Sequence, residues 1–144
     1  MTAKQYLQLY KKYENRYFIL AEQIKALENE ITSLKSPNFD ERVQTSPKKD
    51  PIGEMVCNLE KEKAKLSLKM AECTSNKIII KNQVNYFEEI NDDYYTVLLL
   101  RYILYKDWKF ICDKLSLSRT QANVIHGRAL KDFDLKFKVY YEKK

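Results

Sequence analysis

Arg119, Thr120, Gln121, Asn123 and His126 fall within eight consecutive residues, and all five are of types that can bond to base edges or phosphate oxygens. A guanidinium forks onto guanine O6 and N7 or clamps a phosphate, and Gln and Asn amides each make two bonds to adenine. A Thr hydroxyl suits a phosphate, and its methyl suits that of thymine. His126, nearly two turns further on, is neutral and reads as a surface residue beside the nucleic-acid backbone. Arg128 and Lys131 extend the stretch as phosphate contacts, and Lys106, Lys109 and Lys114 flank it. Gly127 inside a helix costs about 1 kcal/mol relative to Ala, which points to close approach by DNA or a second helix.

These side chains need a helix that starts at a fixed place. Ser118 followed by Gln121 is a capping box: the serine accepts from a backbone N–H three residues on while the glutamine reaches back. The helix so opened buries Ala122, Ile125, Ala129 and Leu130 and turns Arg119, Thr120, Gln121, Asn123 and His126 outward. A shorter helix precedes it, with Asp107 as N-cap and Trp108, Ile111, Cys112 and Leu115 at i, i+3, i+4, i+7 spacing. Trp108 is expected in the core. Before that, Val97, Leu98, Leu100, Tyr102 and Ile103 share one broad helical face. Helix, tight turn and capped polar-faced helix is the order that major-groove docking requires.

Charge is local as well. Residues 94–144 hold 11 Lys/Arg against 5 Asp/Glu, whereas residues 1–93 hold 15 of each, so the formal +6 belongs to the C-terminal part. That footprint favours a polyanion, and double-stranded DNA is the expected partner. Two Gly and three Pro in 144 residues indicate long helices with few turns. No run of eighteen apolar residues exists, so no membrane partner is expected, and MTAKQYLQLYKK has no signal-peptide core. Cys57, Cys73 and Cys112 are dispersed and read as small core residues in a reducing compartment, the cytoplasm. One His and three scattered Cys offer no metal site. No phosphate loop, nucleophile elbow or zinc-protease motif occurs, so no enzyme, cofactor or small-molecule substrate is expected.

The N-terminal part carries two heptad seams. Tyr6, Tyr10, Tyr13, Tyr17, Leu20, Ile24, Leu27, Ile31 and Leu34 recur at alternating steps of 4 and 3, after a Thr2–Gln5 capping box. Ile52, Val56, Leu59, Lys63, Leu66, Met70, Cys73, Lys77, Ile80, Val84 and Phe87 follow the same alternation, opened by Asp50 as cap and Pro51 at the first helical position. Residues 36–50 between them are polar and hold two of the prolines, a loop. The expected fold is all-α, with residues 1–90 as a long, coiled-coil-like antiparallel hairpin and residues 91–144 as a DNA-binding module with a C-terminal extension. Tyr6, Tyr10 and Tyr13 would face Lys77, Ile80 and Val84, with the methylene stems of Lys63 and Lys77 over the rings. A two-helix arm buries little, so Tyr6, Tyr10, Tyr13, Tyr17, Leu20, Ile24 and Leu27 are candidates for a homodimer or partner-binding arm. Residues 132–144 admit a strand (Phe133, Leu135, Phe137, Val139, Tyr141) or a helical stripe (Phe133, Phe137, Tyr141). Helix is preferred because no second strand is available.

The segment LLLRYILYKDWKFICDKLSLSRTQANVIHGRAL resembles the fourth conserved region of bacterial sigma factors, with Ser118, Arg119, Ile125, Ala129 and Leu130 in register. With the MTAKQYL opening and the long helical pair, the whole resembles the ArpU/RinA-like late-gene transcription activators encoded by phages of Firmicutes. The resemblance implies a region-four-type helix-turn-helix at the C-terminal end, a transcription regulator working in a bacterial host cell, and RNA polymerase as a second candidate partner. It also implies an alternative, an adaptor that holds polymerase or another regulator through the hairpin without reading DNA. Phe110-Ile111-Cys112 and Thr120-Gln121 depart from the sigma pattern, so promoter specificity does not carry over.

Overall fold

The computed structural model describes residues 1–35 and 50–142. The expected loop 36–50 lies, apart from Asp50, outside the described residues. The chain is all-helical, with no strand among the described residues. Helix α1 spans Ala3–Lys35 and α2 spans Pro51–Asn85, followed by a 3₁₀ turn at Tyr86–Glu89. Helix α3 spans Asp92–Leu98 and widens into a π turn at Leu99–Ile103. Helices α4 (Trp108–Leu115) and α5 (Arg119–Phe137) follow, and a 3₁₀ turn at Lys138–Tyr140 comes last. None of the described helices is long and apolar enough to cross a membrane.

Side chains written into the sequence start most of these helices. Thr2 Oγ1 accepts from Gln5 N at 3.2 Å while Gln5 Oε1 accepts from Thr2 N at 2.9 Å. Asp50 Oδ1 accepts from Gly53 N at 3.0 Å, with Pro51 needing no donor at the first helical position. Asn91 Oδ1 takes both Asp93 N and Tyr94 N, and two acidic residues complement the start of α3. The π turn closes Leu104 N onto Leu99 O at 2.9 Å. Five residues per closure let Leu98, Tyr102 and Ile103 all point inward, where a regular helix would rotate one of them away.

The chain divides into two compact units, Met1–Asn15 with Thr74–Lys144, and Arg16–Cys73. In the second unit Leu20, Leu27, Ile31, Leu66 and Cys73 are buried, and Lys63 Nζ meets Glu28 Oε2 at 3.1 Å. Cys57 is exposed instead of packed, because it lies beside the seam residue Val56 and off the buried stripe. In the first unit a core of aromatic side chains gathers around Phe133 and Leu7, both fully buried. Tyr6 stacks on Tyr141 with ring centroids 4.6 Å apart, and Phe133 sits 4.9 Å from Phe137. Lys77 Nζ lies 5.1 Å over the Tyr10 ring and 3.8 Å from Glu14 Oε1, so it is the ammonium, in place of the expected methylene stem, that meets the ring. Phe133, Phe137 and Tyr141 turn inward while Leu135 and Val139 stand in solvent, so the C-terminal stripe is helical. Residues this large contribute about 1.5–3 kcal/mol each by burial.

Candidate nucleic-acid interface

Helix α4 ends where Ser116 adopts a left-handed conformation, φ 56, and the backbone N–H of Leu117 reaches the Cys112 carbonyl at 3.0 Å. This closes the helix in the manner usually left to glycine. Two residues later Ser118 Oγ accepts from Gln121 N at 3.1 Å and Gln121 Oε1 accepts from Ser118 N at 3.0 Å, completing both bonds of the capping box. Gln121 thereby uses its carbonyl oxygen locally and keeps its NH₂ donors.

Arg119, Thr120, Gln121 and Asn123 are exposed, as are Arg128, Lys131, Lys106, Lys109 and Lys114. Arg119 donates its Nε to Asn123 Oδ1 at 3.1 Å, and its guanidinium lies 4.9 Å over the Trp108 ring. Trp108 is therefore not a core residue. It is half-buried, carries Arg101 on the same indole at 5.1 Å, and meets the His126 ring edge-on at 4.9 Å. No carboxylate lies within ion-pair distance of Arg101 or Arg119 among the described residues. Lys106 and Lys114 both approach the Phe110 ring, at 4.9 and 5.4 Å, and Lys109 lines a cleft with Trp108 and Arg119.

His126 does not face outward with its neighbours. It is half-buried, with Nε2 2.7 Å from the Tyr102 hydroxyl and its ring stacked on Tyr102 at 5.7 Å. Burial, reinforced by the positive charges of Lys4 and Arg101, pulls its pKa down to about 4. Burial also pushes Tyr102 up to about 12, against the pull of Arg101. Both partners are neutral at pH 7, and His126 is a packing residue there. Its place was not readable from α5 alone, since the side chain that claims it comes from twenty-four residues earlier.

The face of α5 opposite buried Ala122 and Ala129 carries Thr120, Val124, Gly127 and Lys131 at steps of 4, 3 and 4. Val124 was not among the expected contacts, yet it is 46% exposed on this face and its methyls suit a thymine methyl. The signal for it was the four-residue step from Thr120. A Cβ added at Gly127 would meet nothing within 4 Å, so no neighbour within the chain requires the glycine.

The seven seam residues considered for a partner arm are taken up within the chain: Tyr6, Tyr10, Leu20 and Leu27 are buried, and Tyr13, Tyr17 and Ile24 are half-buried. Phe18 and Ile19, next to Tyr17 and Leu20 in sequence, are exposed apolar side chains on α1. No cluster of three or more His, Cys, Asp or Glu is placed to hold a metal ion among the described residues. No family model, curated protein or solved structure matches the chain.

Proposed function

We propose that the protein is a sequence-specific, double-stranded-DNA-binding transcription regulator whose α4–turn–α5 segment is a helix-turn-helix. Helix α5 enters the major groove. The observation that carries this reading is Arg119, seated over Trp108, bonded to Asn123 and exposed in the first turn of a fully capped helix. A guanidinium fixed on two sides loses little freedom when it forks onto a guanine. Thr120 and Val124 supply a hydroxyl and methyls along the outward face, and Gly127 lets the backbone come close. Arg128, Lys131, Lys106, Lys109 and Lys114 supply phosphate contacts. The resemblance to sigma region four and to phage late-gene activators supports this reading, and the cytoplasm of a bacterial host is the location it implies. The ion pairs Lys63–Glu28 and Lys35–Glu60 link later residues of α1 with earlier ones of α2, which supports an antiparallel hairpin.

Selection from a random duplex library with the purified chain tests it. An enriched motif is expected, and Arg119→Ala should weaken binding to that motif by about 1–3 kcal/mol and relax one position. No enrichment, together with wild-type affinity in Arg119→Ala, refutes the reading.

A second reading is an adaptor that holds RNA polymerase or another regulator. Phe18 and Ile19, 58% and 62% exposed, favour it as an apolar contact surface, in place of the inward seam. Nuclease-resistant capture of polymerase, lost in Phe18→Ser, is its expected signature.

A further inference from the structure

Residues 1–15 belong to the same compact unit as α5, and they bring Lys4, Lys11 and Lys12 against a single carboxylate, Glu14. Lys11 and Lys12 line a cleft of about 420 Å³ together with Arg101, Tyr102 and Tyr105. We propose that this cleft is a phosphate-binding site, distinct from the outward face of α5.

Three cations share one concavity that no carboxylate lines among the described residues. Glu14, the one acid of residues 1–15, is already engaged behind the cleft's wall: it accepts the Tyr105 hydroxyl at 2.7 Å and lies 3.8 Å from Lys77 Nζ. Arg101 gives one N–H to the Lys106 carbonyl at 3.3 Å, and most of the fork's five donors remain. Lys11 Nζ stands 5.1 Å over the Tyr105 ring, which steadies the ammonium without consuming its donors. Tyr105 itself sits at φ 57, a left-handed conformation unfavourable for an aromatic residue, held by the Glu14 bond and by the Tyr10 ring 6.3 Å away. The wall is thus fixed before any ligand arrives. Gln8 and Asn15 add amide donors beside the cations. A single carboxylate would leave such a group undercompensated, whereas a free phosphate or monoester brings up to two negative charges, and neighbouring backbone phosphodiesters bring one each, with several acceptor oxygens. Lys4 and Arg101 both bear on His126, so the positive potential runs from this cleft toward α5.

The phosphate can come from the DNA backbone or from a free phosphorylated ligand. The first source rests on the DNA-binding reading above; the second does not. The test uses the full chain and the double variant Lys11→Gln/Lys12→Gln, whose side chains are exposed, with matching circular dichroism melts as the folding control. Inorganic pyrophosphate is titrated calorimetrically at low salt, and the salt dependence of duplex binding is measured for several sequences. Loss of at least tenfold in pyrophosphate affinity supports the site. So does a salt slope flattened by about two for every sequence alike, which identifies the DNA backbone as the source. Pyrophosphate loss with an unchanged slope identifies a free ligand. Wild-type pyrophosphate behaviour with an unaltered slope, or with no duplex binding at all, overturns the proposal. Failure of the DNA-binding reading is recognised separately, by a library selection that enriches no motif together with wild-type duplex affinity in Arg119→Ala.

Discussion

The Arg119 guanidinium and the Trp108 ring, 4.9 Å apart, join the first turn of α5 to the first turn of α4. The indole does for arginine what a salt bridge would do, without cancelling the charge that a phosphate or guanine must meet. A contact of this kind at an exposed site is worth about 0.5–1 kcal/mol, a factor of about two to five in affinity. Trp108→Leu should therefore weaken binding to the selected duplex by that factor, and Trp108→Phe should recover part of it. Fluorescence anisotropy measures both. Equal affinity in all three proteins would mean that the ring does not position Arg119.

Gly127 separates stability from function. Nothing in the chain occupies the space a Cβ would fill, and the residue lies mid-helix. Gly127→Ala should raise stability by about 0.5–1 kcal/mol. If the backbone there approaches DNA, the same change should lower duplex affinity. Thermal melting and anisotropy on one sample read both, and a more stable protein with undiminished affinity removes Gly127 from the interface.

Tyr6 donates its hydroxyl to Gln83 Oε1 at 2.8 Å, and Gln83 Nε2 is buried without a partner among the described residues. Burial raises the Tyr6 pKa, opposed by the Gln83 bond, so the phenol stays protonated. Tyr6→Phe leaves the whole Gln83 amide unpaired and should cost about 1–3 kcal/mol. Replacing both partners with Tyr6→Phe/Gln83→Met removes every orphan polar atom at similar volume, so it should cost much less than the two single changes together. Chemical denaturation of the four proteins gives the coupling, and simple additivity would show that the bond contributes nothing.

Residues spaced three or four apart explain most of what was legible in the sequence. Thr2–Gln5, Asp50, Asp107 and Ser118–Gln121 cap helices because each cap is completed within one turn of chain. The seam from Tyr6 to Leu34 marks a buried stripe because burial of a helix face repeats at that period. Neither kind of signal says what lies across the stripe. Leu7 is fully buried although it stands off the seam, because residues 1–15 are enclosed by the aromatic core around Phe133. His126 and Trp108 were misplaced for the same reason, since Tyr102 and Arg101 reach them from another element. A count over residues 1–93 hid Lys4, Lys11 and Lys12 within a neutral block. The π turn at Leu99–Ile103 has no local signature at all. The Asn91 cap did have one, an Asn before two acidic residues, and it was legible in principle.

Ser116 carries the left-handed φ of 56 that closes α4. Glycine takes that conformation without the steric cost a Cβ imposes, about 1 kcal/mol. Ser116→Gly should accordingly raise the melting temperature by a few degrees, offset in part by the freer unfolded chain. An unchanged or lower melting temperature would show that Ser116 makes a compensating contact.

Acid should find the His126–Tyr102 pair. The folded pKa of His126, about 4, lies below the ordinary value of 6.5, so the unfolded chain binds its proton more readily. Stability from this residue is full above pH 6.5 and declines as pH falls toward 4, below which the deficit is constant. The half-buried site is partly screened by water, which limits the loss to on the order of 1–2 kcal/mol. Carboxylates also titrate in this range, so the informative quantity is a difference: wild type minus His126→Gln, from denaturation at pH 7.5, 6, 5 and 4. That difference should shrink steadily between pH 6.5 and 4 and stay flat above. A difference independent of pH would mean that the ring is protonated as easily in the folded protein as in the unfolded chain, contrary to its burial against Tyr102 and Trp108.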